Sequence, residues 1–172
     1  MKKVKTIPAL ILAAGLMVII FIIILQCLPD GFQLTIRPKS GGPPLLAFPI
    51  QPGESFTLHY FHSVNGCPIW EKHRIDNRGK IYIQEERFVA FAAGMGHWPG
   101  HGHLTRRGEY QVIENINKPI GSFILRVADE KQKHTIIWRG KSLNLSRMAA
   151  GQAVVISTNS TSVLKRLWRN FR

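Results

Sequence analysis

Ser55–Ile75 reads SFTLHYFHSVNGCPIWEKHRI. Phe56, Leu58 and Tyr60 alternate with Thr57, His59 and Phe61, and after a break Ile69, Glu71, His73 and Ile75 alternate with Trp70, Lys72 and Arg74. A period of two marks a strand. Asn65-Gly66 between the two halves is a hairpin signal, because a type I′ turn needs positive φ at both central positions. A two-residue loop pairs Tyr60 with Glu71, and a four-residue loop, Asn65 to Pro68, pairs His62 with Glu71. The two registers differ by two residues, so both put the same side chains on the same face.

Two consequences follow for chemistry. His62 and Ser63 point to opposite faces of a regular strand and cannot act as a nucleophile–base dyad. His62, Glu71 and Tyr60 share a face and form a polar cluster at the end of an apolar stripe. Such a cluster satisfies itself and fixes register, or it orients a ligand at the mouth of a β-core. No second acid, nucleophile or oxyanion-hole signature accompanies it. Tyr60, His62, Ser63 and Glu71 are therefore ligand or interaction candidates with no catalytic assignment, and Asn65, Gly66 and Pro68 are structural loop residues.

Outward from the hairpin the period of two continues. Strands are expected at 32–37, 45–50, 55–64, 69–76, 81–91, 109–115, 122–128, 134–139 and 153–158, with a brief one at 143–145. Turn residues separate them, and 93–108 reads as a glycine-rich loop. The fold class is all-β: an antiparallel β-sandwich or partly open barrel of about eight to nine short strands, preceded by one transmembrane helix. Arg126, set among apolar residues in Phe123–Ala128, is a further interaction candidate, either at an edge or reaching Glu71 or Glu85.

The helix expectation comes from 7–28, an apolar run with LMVIIFIIIL at its centre. About 20 apolar residues span a hydrocarbon core of roughly 30 Å. The run is longer than a signal-peptide core and lacks a small-residue cleavage site. Lys2, Lys3 and Lys5 precede it, which places the N-terminus inside. The organisation expected is a cytoplasmic basic segment 1–6, a transmembrane signal-anchor 7–28, an extracytoplasmic β-domain 29–162 and a basic amphipathic tail 163–172 suited to an anionic membrane surface. The protein is thus expected in the cytoplasmic membrane, single-pass.

The chain has 23 Lys and Arg against 10 Asp and Glu, a formal charge of +13. Seven of the cations lie in the two termini, and the centre has no run that tracks phosphates, so nucleic acid is excluded as a partner. Cys27 and Cys67 read as two free thiols rather than a disulfide framework. His97, His101 and His103 in GMGHWPGHGH are the weak metal candidates, since imidazole suits zinc, copper or nickel. No cysteine or nearby carboxylate completes a ligand spacing. Gly94 and Gly96 are explained by a tight loop. No metal is favoured and no cofactor is expected.

PGESFTLHYFHSVNGCPIWE, IYIQEERFVAFAAGMG, Gly108, LRVA at Leu125–Ala128 and the strand after Gly151 together resemble the bacterial domain of unknown function 1850 family. The most specific element is the aromatic-x-His-Ser-Val…Pro-x-x-Glu run, carried by Tyr60, His62, Ser63, Val64, Pro68 and Glu71. The resemblance implies a small secreted or membrane-anchored protein associated with TAXI-type TRAP solute transporters. The expected function is a non-enzymatic accessory or binding protein whose partner is the transporter's membrane subunit or its solute-binding protein. The alternative is an extracytoplasmic metal-binding protein or a His/Glu-dependent hydrolase.

Overall fold

The computed structural model describes residues 6–27, 29–91 and 96–162, with side chains described within 10–26, 31–91 and 96–162. The chain divides into two compact units, Met1–Gly31 with Ser160–Arg172, and Phe32–Asn159.

The first unit contains α1 (Thr6–Cys27), helical where the apolar run predicts a helix. Among the described residues no helix is long and apolar enough to cross a membrane. The single-pass anchor, and the localisation derived from it, is corrected accordingly. The Cys27 side chain and the tail 163–172 lie outside the described residues.

The rest is mostly β. The strands are β1 (Pro29–Pro38), β2 (Leu46–Ile50), β3 (Ser55–Phe61), β4 (Pro68–Ile75), β5 (Ile81–Phe88), β6 (His103–Arg107), β7 (Tyr110–Glu114), β8 (Lys118–Pro119), β9 (Phe123–Arg126), β10 (Thr135–Trp138), β11 (Lys141–Asn144) and β12 (Ala153–Ser162). Among the described residues they form two antiparallel sheets and no closed barrel. One sheet has the order β2-β1-β12-β9; the other runs β11-β10-β3-β4-β5-β7-β6, with β8 paired to β5.

Leu34 and Ile36 of β1, Phe48 and Ile50 of β2, and Val154 and Ile156 of β12 share one buried cluster with Phe56, Leu58, Ile75, Ile81 and Ile136 of the larger sheet. A second cluster, Ile69, Ile83, Phe88, Ile113 and Ile116, belongs to β4, β5, β7 and the chain just after β7. Tyr60 and Ile120 pack against both. At about 25 cal/mol per Å² this apolar burial is the main force holding the sheets.

Three elements depart from the sequence reading. β6 lies inside the expected loop 93–108. It is an edge strand with exposed His103, Leu104, Arg106 and Arg107, the charged composition that keeps an edge from pairing with another chain. The short helix α2 (Leu145–Ala149) follows β11, where Asn144 Oδ1 accepts the Arg147 N–H at 3.1 Å as an N-cap. β5 is irregular. Lys72 pairs with Glu85 but His73 pairs with Ile83, so Gln84 is an extra residue in a β-bulge.

Candidate functional site

The hairpin forms, with the predicted faces and a third register. Tyr60 pairs with Ile69, Leu58 with Glu71 and Phe56 with His73. His62 N–H donates to Cys67 O at 2.8 Å, which closes a loop over Ser63, Val64, Asn65 and Gly66. Gly66 has φ of 66°, but Asn65 is not in the positive-φ region, so the type I′ turn is not made. Asn65 Oδ1 instead accepts the Cys67 N–H at 3.1 Å, an Asx turn. Because this register differs by two and by four residues from the two expected, both even shifts, Tyr60, Glu71 and His73 still share one face.

The bulge then brings in a residue that strict alternation places elsewhere. Beyond Gln84, Glu86 pairs directly with Glu71 and Phe88 with Ile69. Two carboxyl groups thus stand side by side on the core face of β4 and β5, in the row Leu58, Glu71, Glu86, Ile113. Their side chains keep 23% and 19% of their exposure, which leaves them open to water at one margin.

Aromatic and imidazole groups enclose the pair. The Tyr60 hydroxyl donates to Glu71 Oε1 at 2.7 Å. Burial, then the charge and hydrogen bond of Glu71, push the Tyr60 phenol far up. Burial also pushes Glu71 up to about 7, against the lowering effect of the Tyr60 hydrogen bond and with help from the Glu86 charge. Glu86 is raised by burial and lowered in part by His101, whose Nε2 lies 3.9 Å from Glu86 Oε2.

His73 is buried between Phe56 and Phe123, with ring centroids 4.9 and 5.3 Å away. Burial lowers it to about 4. Its Nδ1 lies 3.0 Å from the Glu71 carbonyl, which can only accept, so Nδ1 carries the proton. Nε2 then faces Glu71 Oε2 at 3.8 Å as a bare nitrogen. His134 stacks on Tyr60 at 5.1 Å and accepts the Ala128 N–H on Nδ1 at 3.1 Å. Burial lowers it too. Near neutral pH the cluster is an acid pair that holds a proton part of the time, beside the neutral imidazoles of His73 and His134.

The sequence candidates separate. Tyr60 and Glu71 meet. His62 sits at the loop closure, where its Nδ1 accepts the Val64 N–H at 3.2 Å, so the expected His62–Glu71 cross-strand pair is replaced by Tyr60–Glu71. Ser63 is exposed in the turn, and Pro68 opens β4. Arg126 is exposed on the edge strand β9, and Glu85 is met by Arg107 at 3.9 Å instead. Gly108, φ 63°, turns β6 into β7. Gly94 lies outside the described residues; Gly96 is half-buried.

The histidine loop disperses. His101 is buried against Trp98, at 3.9 Å between ring centroids, and faces Glu86. His97 and His103 are exposed. Among the described residues no group of three His, Cys, Asp or Glu is placed to hold a metal ion. Cys67 is a free thiol.

Glu86, His73, His101 and His134 complete the cluster, and the sequence reading did not assign them to it. Glu71 and His73 share the hairpin face, a signal that was present. Glu86 required the bulge, which no residue in IYIQEERF announces.

The fold and site define a two-sheet β-domain with an acid pair on the core face of its larger sheet. The family model described as Domain of unknown function (DUF1850) matches residues 56–145, and the chain belongs to this family. The matched segment runs from β3 to the start of α2 and holds every member of the cluster. No curated protein and no solved structure matches the chain.

Proposed function

We propose that the chain is a non-enzymatic binding domain, arranged as a β-sandwich, that serves as an accessory of a TAXI-type TRAP solute transporter. Its partner in this reading is the transporter's membrane subunit or its solute-binding protein. The observation that supports binding over catalysis is the 2.7 Å Tyr60–Glu71 hydrogen bond. It commits the best-placed acid to an internal donor, as in a cluster that holds register. The transporter assignment rests on the family resemblance of the hairpin and of the LRVA strand.

Cross-linking of the full-length protein in its own cells, followed by mass spectrometry of what is captured, tests the reading. Recovery of a transporter subunit or its binding protein supports it; a partnerless preparation refutes it. One observation favours a hydrolase as the second reading. A carboxyl raised to about 7 is poised for general acid–base work. An enzyme loses turnover in Glu71→Gln while staying folded, whereas a structural cluster changes only its stability.

A further inference from the structure

The opposite face of the larger sheet carries a different set of groups. His59 pairs with Trp70 across β3 and β4, and Trp70 with Arg87 across β4 and β5. Arg87 pairs in turn with Val112 of β7, two residues from Tyr110 on the same face. The Arg87 guanidinium lies 4.3 Å from the Trp70 ring centroid and 5.2 Å from that of Tyr110. Trp70 and Tyr110 meet edge to face at 5.5 Å. His59 stacks on the far side of Trp70 at 4.8 Å and meets Phe61 at 5.3 Å. Lys133 stands 5.9 Å from the Phe61 ring. All four members of the His59–Trp70–Arg87–Tyr110 row are half-buried, neither core nor freely solvated.

The guanidinium lies over the Trp70 ring with Tyr110 beside both, an arrangement that holds the group and leaves in-plane N–H groups for another partner. Arg87 Nε is buried with no hydrogen-bond partner, and so is His59 Nε2 on the other side of Trp70. Among the described residues Arg87, Lys72 and Lys133 form no ion pair; the nearby acids Glu85 and Glu114 are both taken by Arg107, at 3.9 and 2.6 Å, and Glu109 is hydrogen-bonded to the Tyr110 side chain. The charge of Arg87 is felt locally, since it adds to burial in lowering His59. A guanidinium fixed by stacking loses little rotamer freedom on binding, and its fork matches the two oxygens of a carboxylate.

We propose that this face is a carboxylate-binding site, in which Arg87, held over the Trp70 ring beside Tyr110, takes a carboxylate through its in-plane N–H groups, with Lys72 adding charge from the neighbouring row. The inference rests on the binding-domain reading and names the ligand chemistry of that reading. The same chemistry is offered by a free organic acid and by a glutamate side chain of a partner protein.

The test is a titration of the full-length, ¹⁵N-labelled protein, read at the Arg87 Nε–H resonance and the Trp70 indole. The probes are benzoate, its neutral isostere benzamide, and a short glutamate-rich peptide blocked at both ends. The expected result is a saturable shift with benzoate or the peptide and none with benzamide. Arg87→Lys, which keeps the charge and loses the fork, is expected to weaken binding by about tenfold. Lys72→Gln, at an exposed position, is expected to weaken it by about threefold. Tighter binding of the peptide assigns the site to a partner's side chain; tighter binding of benzoate assigns it to a free acid. Equal response to benzamide, equal affinity of Arg87→Lys, or no response to either acid overturns the proposal. Should Arg87→Lys fail to fold, the benzoate–benzamide contrast and Lys72→Gln decide. No carboxylate response alongside a captured transporter component overturns this inference alone; a carboxylate response without a captured partner overturns the transporter reading alone.

Discussion

Replacing Glu71 with glutamine should make the protein more stable in alkali, by an amount that depends on pH in a fixed way. In the folded chain Glu71 titrates at about 7 against an ordinary 4.5. The folded state therefore holds a proton that the unfolded chain has already released. A carboxyl raised in this way gives its full stability below 4.5 and loses it as pH climbs to about 7. At 1.36 kcal/mol per pH unit, ionising Glu71 in place costs on the order of 3 kcal/mol by about pH 8. A glutamine in its place has no proton to lose, and its side-chain carbonyl still accepts the Tyr60 hydroxyl. His73 has the opposite sign: its folded value of about 4 means stability is lost as pH falls from 6.5 towards 4. That loss is common to both proteins and cancels in the difference. Urea unfolding of Glu71→Gln and wild type, at half-unit steps from about pH 4.5 to 8, measures the difference directly. It should grow by about 3 kcal/mol in favour of glutamine, with most of the rise between about 4.5 and 7. A flat difference, or a glutamine variant that loses ground to wild type between those limits, would refute a buried, proton-holding Glu71.

Two further perturbations act on the same cluster. Tyr60→Phe removes the donor to Glu71, and should cost about 1 kcal/mol near pH 5 and about 2 kcal/mol near pH 8, where the acceptor is ionised; urea unfolding at both pH values should also place the Glu71 midpoint above its present value of about 7. Gly102→Ala should cost about 2 kcal/mol or more, because Gly102 has φ of 67° and a Cβ there would lie 2.5 Å from the Glu114 carbonyl oxygen. That variant should also shift the ring resonances of His101, which Gly102 helps hold against Glu86; an unchanged His101 spectrum would contradict this placement.

The fold was legible where alternation was regular. Ser55–Phe61 and Pro68–Ile75 carry their faces in plain sequence, and register errors of two or four residues left those faces intact. Tyr60 and Glu71 were found for that reason, and His62 was mispaired for the same one. Legibility stopped where local chemistry breaks the period. Gln84 is an ordinary strand residue, so its bulge is set by tertiary pairing, and Glu86 stayed hidden behind it. β6 was hidden because an edge strand pairs on one side only, and its basic, glycine-flanked sequence reads as loop. α2 did leave a signal, the capping Asn144, but five residues are too few to show a helical period.

Gln84 acts on β5 as an insertion acts on a reading frame. With the bulge flattened and the residue kept, Gln84 would take Lys72 as its partner and every later side chain would change sides. Glu85 and Arg87 would then be driven into the core, while Glu86 and Phe88 went outward. With the residue deleted, Ile83 would be followed directly by Glu85, and both would keep the partners they have now, His73 and Lys72. The loss would be the Gln84 carbonyl that accepts the Ile116 N–H, about 1 kcal/mol. The acid pair on one face and the stacked guanidinium on the other are therefore in frame with each other, and the chain can lose a residue at this one point without disturbing either.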